Sequence, residues 1–227
     1  MNVTWHRSCV GEVPDDDNWL TDHDRAVLAG LKVAKRRADW RLGRWTARSL
    51  VAAVLDVSPD RVEIRAAGDG APDAFVDGTC AGLSLSLSHR DGVAVAAVIA
   101  LPARVGIDLE TVEPRSDAFV REWLSSDEQA ALPRDGDARD LGVLCCWTGK
   151  EASAKMLREG LRLDVRKAVV TSDPPTTAVW APMRVTWGPE EITHRGWCGR
   201  KGSWLVAIVS DPPTDPPAAA LVAQVAS

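Results

Sequence analysis

Trp147-Thr148-Gly149-Lys150-Glu151-Ala152-Ser153-Ala154-Lys155 is the stretch on which the reading of this chain turns. It packs one carboxylate and two ammonium groups into the first turns of what reads as a helix. Thr148 is placed as N-cap, Glu151 follows three residues on, and Ala152, Met156 and Leu157 supply an apolar side. Glu151 and Lys155 stand four apart and share a face, with Lys150 beside them. Two readings open here. Thr-x-x-Glu is a capping box, and Glu before Lys at i,i+4 is an ordinary surface pair worth roughly 0.3–0.5 kcal/mol. Alternatively, a helix N-terminus carrying lysines offers free N–H groups and positive charge to a phosphate.

Upstream lies Val105-Gly106-Ile107-Asp108-Leu109-Glu110. Alternation puts Ile107 and Leu109 on one face of a strand and Asp108 and Glu110 on the other. Two carboxylates on one side repel unless something separates them. A solvated acidic edge is one answer; a hard divalent cation such as Mg²⁺, held by carboxylates and substrate phosphates, is the other. Strand and helix together offer three carboxylates for a metal and two lysines for phosphate, which capping and solubility do not explain.

These two segments resemble the paired signature motifs of the Sfp-type 4′-phosphopantetheinyl transferases, and softer likeness extends over most of residues 30–210. The resemblance implies an α+β fold: two similar α+β halves in a pseudo-twofold arrangement, each a small antiparallel sheet packed with helices. It also implies transfer of 4′-phosphopantetheine from coenzyme A to a serine of an acyl or peptidyl carrier protein, with release of adenosine 3′,5′-bisphosphate. On this reading Asp108, Glu110 and Glu151 hold Mg²⁺, or Mn²⁺ in its place. Asp108, Glu151 and Lys155 are the catalytic groups, and Lys150 and Lys155 hold phosphates. Whether Glu151 is metal ligand, general base or both stays open.

The bulk composition bounds the alternatives. With 227 residues and 45 % hydrophobic content the chain is globular and buries a substantial core. Residues 93–101 are too short an apolar run to span a membrane, and residues 1–10 lack a signal-peptide core. Five cysteines without Cys-x-x-Cys indicate neither a disulfide framework nor a zinc site, and Cys145 and Cys146 read as small buried residues before the helix. The expected address is cytoplasmic and the expected state a monomer without nucleic acid. Ten tryptophans against no tyrosine has no physical explanation in the sequence. The net charge of −5 means that a phosphate-rich ligand needs a local basic patch.

Lys32, Lys35, Arg36, Arg37, Arg41, Arg44 and Arg48 form that patch, on a helix read to about Leu55. Arg37, Arg41, Arg44 and Arg48 fall on a single face, which is either solvated or bound to a small polyanion such as coenzyme A. By resemblance Arg44 foremost, with Arg36 and Arg48, contacts the cofactor phosphates. The turn-rich Gly68-Asp69-Gly70-Ala71-Pro72 stands where the family often has Gly-Lys-Pro. A lysine contact near the adenine is therefore missing, while backbone recognition at Gly70 survives. Leu83-Ser84-Leu85-Ser86-Leu87-Ser88-His89-Arg90 is a period-2 strand, with Asp91-Gly92 turning into a second strand at 93–99. Ser88 and His89 match a Ser-His-Ser element whose serine and histidine reach the coenzyme phosphates, with Arg90 replacing the last serine.

Organisation follows from these pieces. Residues 1–30 are Asp-rich and aperiodic. Gly43-Arg44, Ala47-Arg48 and Leu55-Asp56-Val57 are echoed by Gly149-Lys150, Ala154-Lys155 and Leu163-Asp164-Val165, and residues 95–99 with Pro102 by 205–209 with Pro212. The expected division is an N-terminal half at 1–103, a C-terminal half at 104–210 and a Pro-rich tail at 211–227 that packs or frays. Residues 119–124 and 126–132 read as short helices, the second with a Ser125-x-x-Glu128 box. Residues 133–140 read as a polar loop. By resemblance this region docks the carrier protein, with Phe119, Trp123 and Leu124 as candidate contacts. Strands are expected at 62–64, 168–171, 178–180, 184–186 and 204–209. A metal-dependent hydrolase of another phosphodiester or pyrophosphate is the alternative to transfer; a nucleic-acid or acidic-protein binding module is disfavoured by the acidic balance.

Overall fold

The apolar runs become strands of two facing sheets, each backed by one long helix. The computed structural model describes residues 2–159, 162–172, 180–188 and 192–220. In chain order these are β1 (Thr4–Cys9), α1 (Asp22–Gly30), α2 (Ala34–Leu55), β2 (Val62–Ala66), β3 (Pro72–Val76), β4 (Thr79–Cys80), β5 (Leu83–Arg90), β6 (Val93–Ala100) and β7 (Arg104–Thr111). There follow α3 (Asp117–Trp123), α4 (Ser126–Ala131), α5 (Gly136–Met156), β8 (Ala168–Ser172), β9 (Ala181–Trp187), β10 (Ile192–Lys201), β11 (Trp204–Asp211) and β12 (Ala218–Ala219).

The first sheet has the order β12-β1-β6-β5 and the second β7-β11-β10-β9-β8, with a small β2-β3-β4 sheet beside the first. Residues on β6 divide by parity, as strand geometry requires. Val95, Ala97 and Ile99 meet Ile107, Leu109, Val206 and Ile208 of the second sheet, while Ala96 and Val98 pack under Ala47, Leu50 and Val51 of α2. On the far side Leu144, Ala152 and Met156 of α5 cover Val170, Val185, Leu205 and Ala207. The layers therefore run helix, sheet, sheet, helix, with small antiparallel sheets packed by helices as expected of an α+β chain.

The repeat is visible in detail. α2 and α5 both end with a non-glycine residue in left-handed backbone just beyond the helix, Asp56 (φ 53°) and Arg158 (φ 59°). The peptide bonds Leu101–Pro102 and Asp211–Pro212 past β6 and β11 are both cis. Asp91 and Gly92, at φ 46° and 77°, make the primed turn that the Asp-Gly signal requires. α5 lies close on β7 because Gly106 has no side chain: a Cβ there would stand 1.9 Å from the Ala152 carbonyl oxygen.

β5 and β7 are edge strands of different sheets, and serine side chains join them. Ser84 Oγ and Ser86 Oγ accept the amide N–H groups of Val105 (3.2 Å) and Ile107 (3.1 Å), and Ser88 Oγ donates to Asp108 Oδ1 (2.8 Å). The alternation read in β5 was right, and the serine face proves to be the inward one.

Several expectations are corrected. α5 begins at Gly136 after Asp135, so Thr148 is no N-cap: it lies mid-helix with Oγ1 donating to Leu144 O (2.6 Å). Residues 136–140 belong to the helix, and Cys145 and Cys146 lie within it, because the buried stripe Leu141, Leu144, Cys145, Thr148 carries its periodicity upstream. Residues 1–30 contain β1 and α1, and β10 was missed because Gly196 and Gly199 interrupt its pattern. Both glycines are required: a Cβ would stand 2.2 Å from Ile208 O and 2.8 Å from the Trp180 ring respectively. Trp180 lies outside any strand, and residues 178–179 fall outside the described residues. From the tail, β12 pairs parallel with β1, while 221–227 are outside the description. No helix among the described residues is long and apolar enough to cross a membrane.

Candidate active site

The face of α2 read as one basic stripe is one face, but most of it is spent on the N-terminal segment. Arg37 donates to Leu28 O (2.6 Å), and Arg41 bonds Asp17 and the Pro14 and Asp16 carbonyls. Arg48 is buried and donates to Trp19 O and to Pro59 O (2.7 Å), beside Asp24. Arg48 is thus a buttress between α2, the N-terminal segment and residue 59, contrary to its expected place on a phosphate. Arg36 is exposed and lies outside the cleft lining. Arg44 differs. Its guanidinium stacks on Trp40 (4.8 Å) and its Nε is 3.2 Å from Asp24 Oδ1, outside hydrogen-bond angle, so Nε has no hydrogen-bond partner.

Arg44 opens onto a cleft of about 430 Å³ between α2, β5, the 67–72 loop and the end of α5. That volume suits a small-molecule ligand, for which pockets run roughly 300–1,000 Å³. Gly70 and His89 line it. Lys155 and Arg158 of the second half complete it. His89 is held below the ordinary histidine range by desolvation, and by Lys155 and Lys35 against the pull of Asp39. Arg158 was not singled out in the sequence, which carries no local signal for it.

Lys155 leads from the cleft to the carboxylates. Its Nζ donates to Asp108 Oδ1 (2.7 Å), the oxygen that also accepts from Ser88. Lys155 therefore pairs across to β7, and Ser88 turns to Asp108 rather than lining the cleft. Asp108 Oδ2 is buried without a hydrogen-bond partner. Glu151, one turn before Lys155, makes no hydrogen bond among the described residues. Its carboxyl is pushed up by burial and by Asp108 and Glu110, against the pull of Lys155. Glu110 is pushed up by burial and by Asp108, and is partly compensated: Oε1 accepts from Trp147 Nε1 (3.1 Å), Oε2 from Arg115 (2.8 Å), and Arg90 stands at 3.5 Å.

The fit to a divalent cation can be judged from these atoms. No three-residue metal cluster forms among the described residues, and Lys155 and Arg115 occupy oxygens of Asp108 and Glu110. An orphaned buried Oδ2 on Asp108, and Glu110 and Glu151 carboxyls pushed up by burial and then by the neighbouring carboxylates, are nevertheless what a hard cation relieves. The donor set fits.

Lys150 is the clearest departure. It is fully buried and faces away, its Nζ donating to Glu128 Oε2 (2.7 Å) and Trp123 O (2.8 Å). Glu128 also accepts from Ser125 N–H (2.7 Å) and Val170 N–H (2.8 Å), so the expected capping box doubles as the counter-ion of Lys150. On the other side of Glu151 lies a hollow of about 410 Å³ walled by Trp123, Trp147 and residues 162–166. Phe119 and Trp123 both pack edge-on to Trp147 at 5.3 Å, half-buried, whereas Leu124 belongs to the core.

A basic cleft backed by a cluster of buried and only partly compensated carboxylates suits a protein that handles phosphate esters. A model described as 4′-phosphopantetheinyl transferase N-terminal domain matches residues 24–99, and one described as 4′-phosphopantetheinyl transferase superfamily matches residues 104–208. The chain belongs to that superfamily. It is 28 % identical over 155 residues to the 4′-phosphopantetheinyl transferase HetI of Nostoc sp. (strain PCC 7120), an alignment covering 65 % of this chain and 64 % of that protein.

Proposed function

We propose that this protein transfers 4′-phosphopantetheine from coenzyme A to a serine of an acyl or peptidyl carrier protein. The observation that carries this reading is the divided state of Asp108. One oxygen is bonded to Lys155 at the cleft, and the other is buried and unpartnered beside a raised Glu151. Family membership supports it. Arg44, with a free Nε over Trp40, and His89 bind the coenzyme phosphates in the cleft. Lys155 exchanges Asp108 for the pyrophosphate and stabilises the departing adenosine 3′,5′-bisphosphate.

Asp108 and Glu151, with Glu110, would hold Mg²⁺ or Mn²⁺; bound there, the cation supplies neutralisation of charge developing on the pyrophosphate. Glu151, raised above an ordinary carboxyl, accepts the proton of the attacking serine hydroxyl. A new bond forms from serine oxygen to the pantetheine-side phosphorus. The bond to the bridging oxygen breaks, and its electron pair leaves with the bisphosphate. The aromatic hollow at Trp123 and Trp147 receives the pantetheine arm or serine segment, with Phe119 and Trp123 at the carrier contact. The halves at 1–103 and 104–210 act as one chain, cytoplasmic, monomeric and without nucleic acid.

The test is mass spectrometry of an apo carrier protein after incubation with this protein, coenzyme A and Mg²⁺. Gain of one phosphopantetheine on the carrier serine is expected. Coenzyme A consumed without any change in the carrier would mark a hydrolase instead.

A further inference from the structure

Arg158 occupies backbone that arginine seldom adopts. At φ 59° it is the left-handed residue that closes α5, its N–H bonded to Lys155 O (3.0 Å) and that of Glu159 to Ala154 O (3.2 Å). Glycine is the usual occupant of this position. What arginine does there is done by its side chain. The guanidinium crosses to the first half, where Nε and Nη2 clasp the two oxygens of Asp69 (2.8 and 3.1 Å) and Nη1 bonds Asp73 Oδ1 (2.9 Å). Arg158 and Asp69 both line the cleft whose other wall carries Arg44, paired with Asp24 but with no hydrogen bond at its Nε.

The charges there pose a problem for an anionic ligand. The loop at 68–72 bears one charged group, and it is a carboxylate; Asp73 adds a second directly after it. Asp69 is held at about 2 by Arg158 and so is ionised at neutral pH. Left bare, Asp69 on this wall, with Asp73 just behind it, would repel phosphates from the cleft.

We propose that Arg158 is a specificity-determining positioning residue: its guanidinium neutralises Asp69 and Asp73 and holds their loop against the end of α5, so that a polyphosphate nucleotide can enter. This rests on the coenzyme A reading above. It assigns Arg158 to ligand admission rather than to the transfer step.

Arg158→Gly tests it, because glycine suits the left-handed backbone and only the side-chain contacts are lost. Binding of coenzyme A and of adenosine 3′,5′-bisphosphate, without carrier protein, is measured by calorimetry beside the melting temperature. The expected result is at least a tenfold weaker affinity for both, with KM for coenzyme A rising alike and kcat falling by no more than about twofold. Arg158→Gly combined with Asp69→Asn removes the uncovered charge and should regain most of the affinity. Wild-type affinity in Arg158→Gly overturns the inference, and so does a double variant as weak as the single one. Failure of the wild-type protein to bind either nucleotide overturns the functional reading itself, and this inference with it.

Discussion

Lys150→Met separates the structure from the spacing of the motif most sharply. Lysine and methionine are similar unbranched chains, so the exchange opens no cavity and removes only the ammonium. In the wild-type protein that ammonium has no exposed surface and bonds Glu128 and the Trp123 carbonyl at 2.7 and 2.8 Å. Glu128 is equally inaccessible, so the variant strands a carboxylate in the core that keeps the Ser125 and Val170 amides but no cation. Breaking a buried pair by removing one partner costs roughly 3–5 kcal/mol. For a chain of this size about 2–4 °C per kcal/mol applies, so the melting temperature should fall by roughly 6–20 °C. Urea unfolding followed by tryptophan fluorescence reads the loss directly, and KM for coenzyme A measured on the folded fraction should not move. A loss below about 1 kcal/mol together with a raised KM would refute the buried-pair account and return Lys150 to the phosphates.

The remaining expectations divide along similar lines. Arg44→Ala should raise KM for coenzyme A by about 10- to 150-fold, the equivalent of a charged hydrogen bond of roughly 1.5–3 kcal/mol, and should also lower the melting temperature, because the buried Asp24 carboxylate 3.2 Å away loses one of its cations. Arg48→Ala should lower stability and spare KM, because its donors serve Trp19 and Pro59. Glu151→Gln should cut transfer by about two orders of magnitude or more, yet be more stable than wild type at neutral pH without metal. Its carboxyl is raised in the fold, so this one group costs nothing below its unfolded value and costs stability as pH rises through the folded one. Scanning calorimetry should therefore show the variant's advantage vanish in acid, and an advantage independent of pH would contradict the assignment. Gly106→Ala drives a methyl into the α5 backbone and should cost roughly 3 kcal/mol, read as loss of soluble protein or of melting temperature.

What could be read in the sequence was what depends on neighbours along the chain. Alternation gave β5, β6 and β7 with Asp108 and Glu110 on the same side, Asp-Gly gave the hairpin, and Asp56 marked the end of α2. Charged groups whose partners are distant were misread. Arg48 and Lys150 each look like a free cation on a helix face, and nothing nearby announces Asp24 or Glu128 as counter-ions. Lys155 was read beside Glu151, whereas its partner is Asp108, which reaches it only after β7 and α5 are brought together at Gly106. Arg158 gave no signal because its partners lie 85 and 89 residues away. The length of α5 was hidden because cysteines and Thr148 filled its buried stripe where aliphatic residues would have marked it.

The serine seam between β5 and β7 bears on how the two halves could live apart. Each strand borders a sheet, and a bare border of amides invites pairing with any passing strand. Here hydroxyls from one half occupy amides of the other, at Val105 and Ile107, and join the two borders. A chain cut between β6 and β7 would release two pieces, each with an open, aggregation-prone margin. The halves are thus mutual guardians of solubility, and natural variation that severs them must either keep the pieces together from synthesis onward or re-dress both margins with charge.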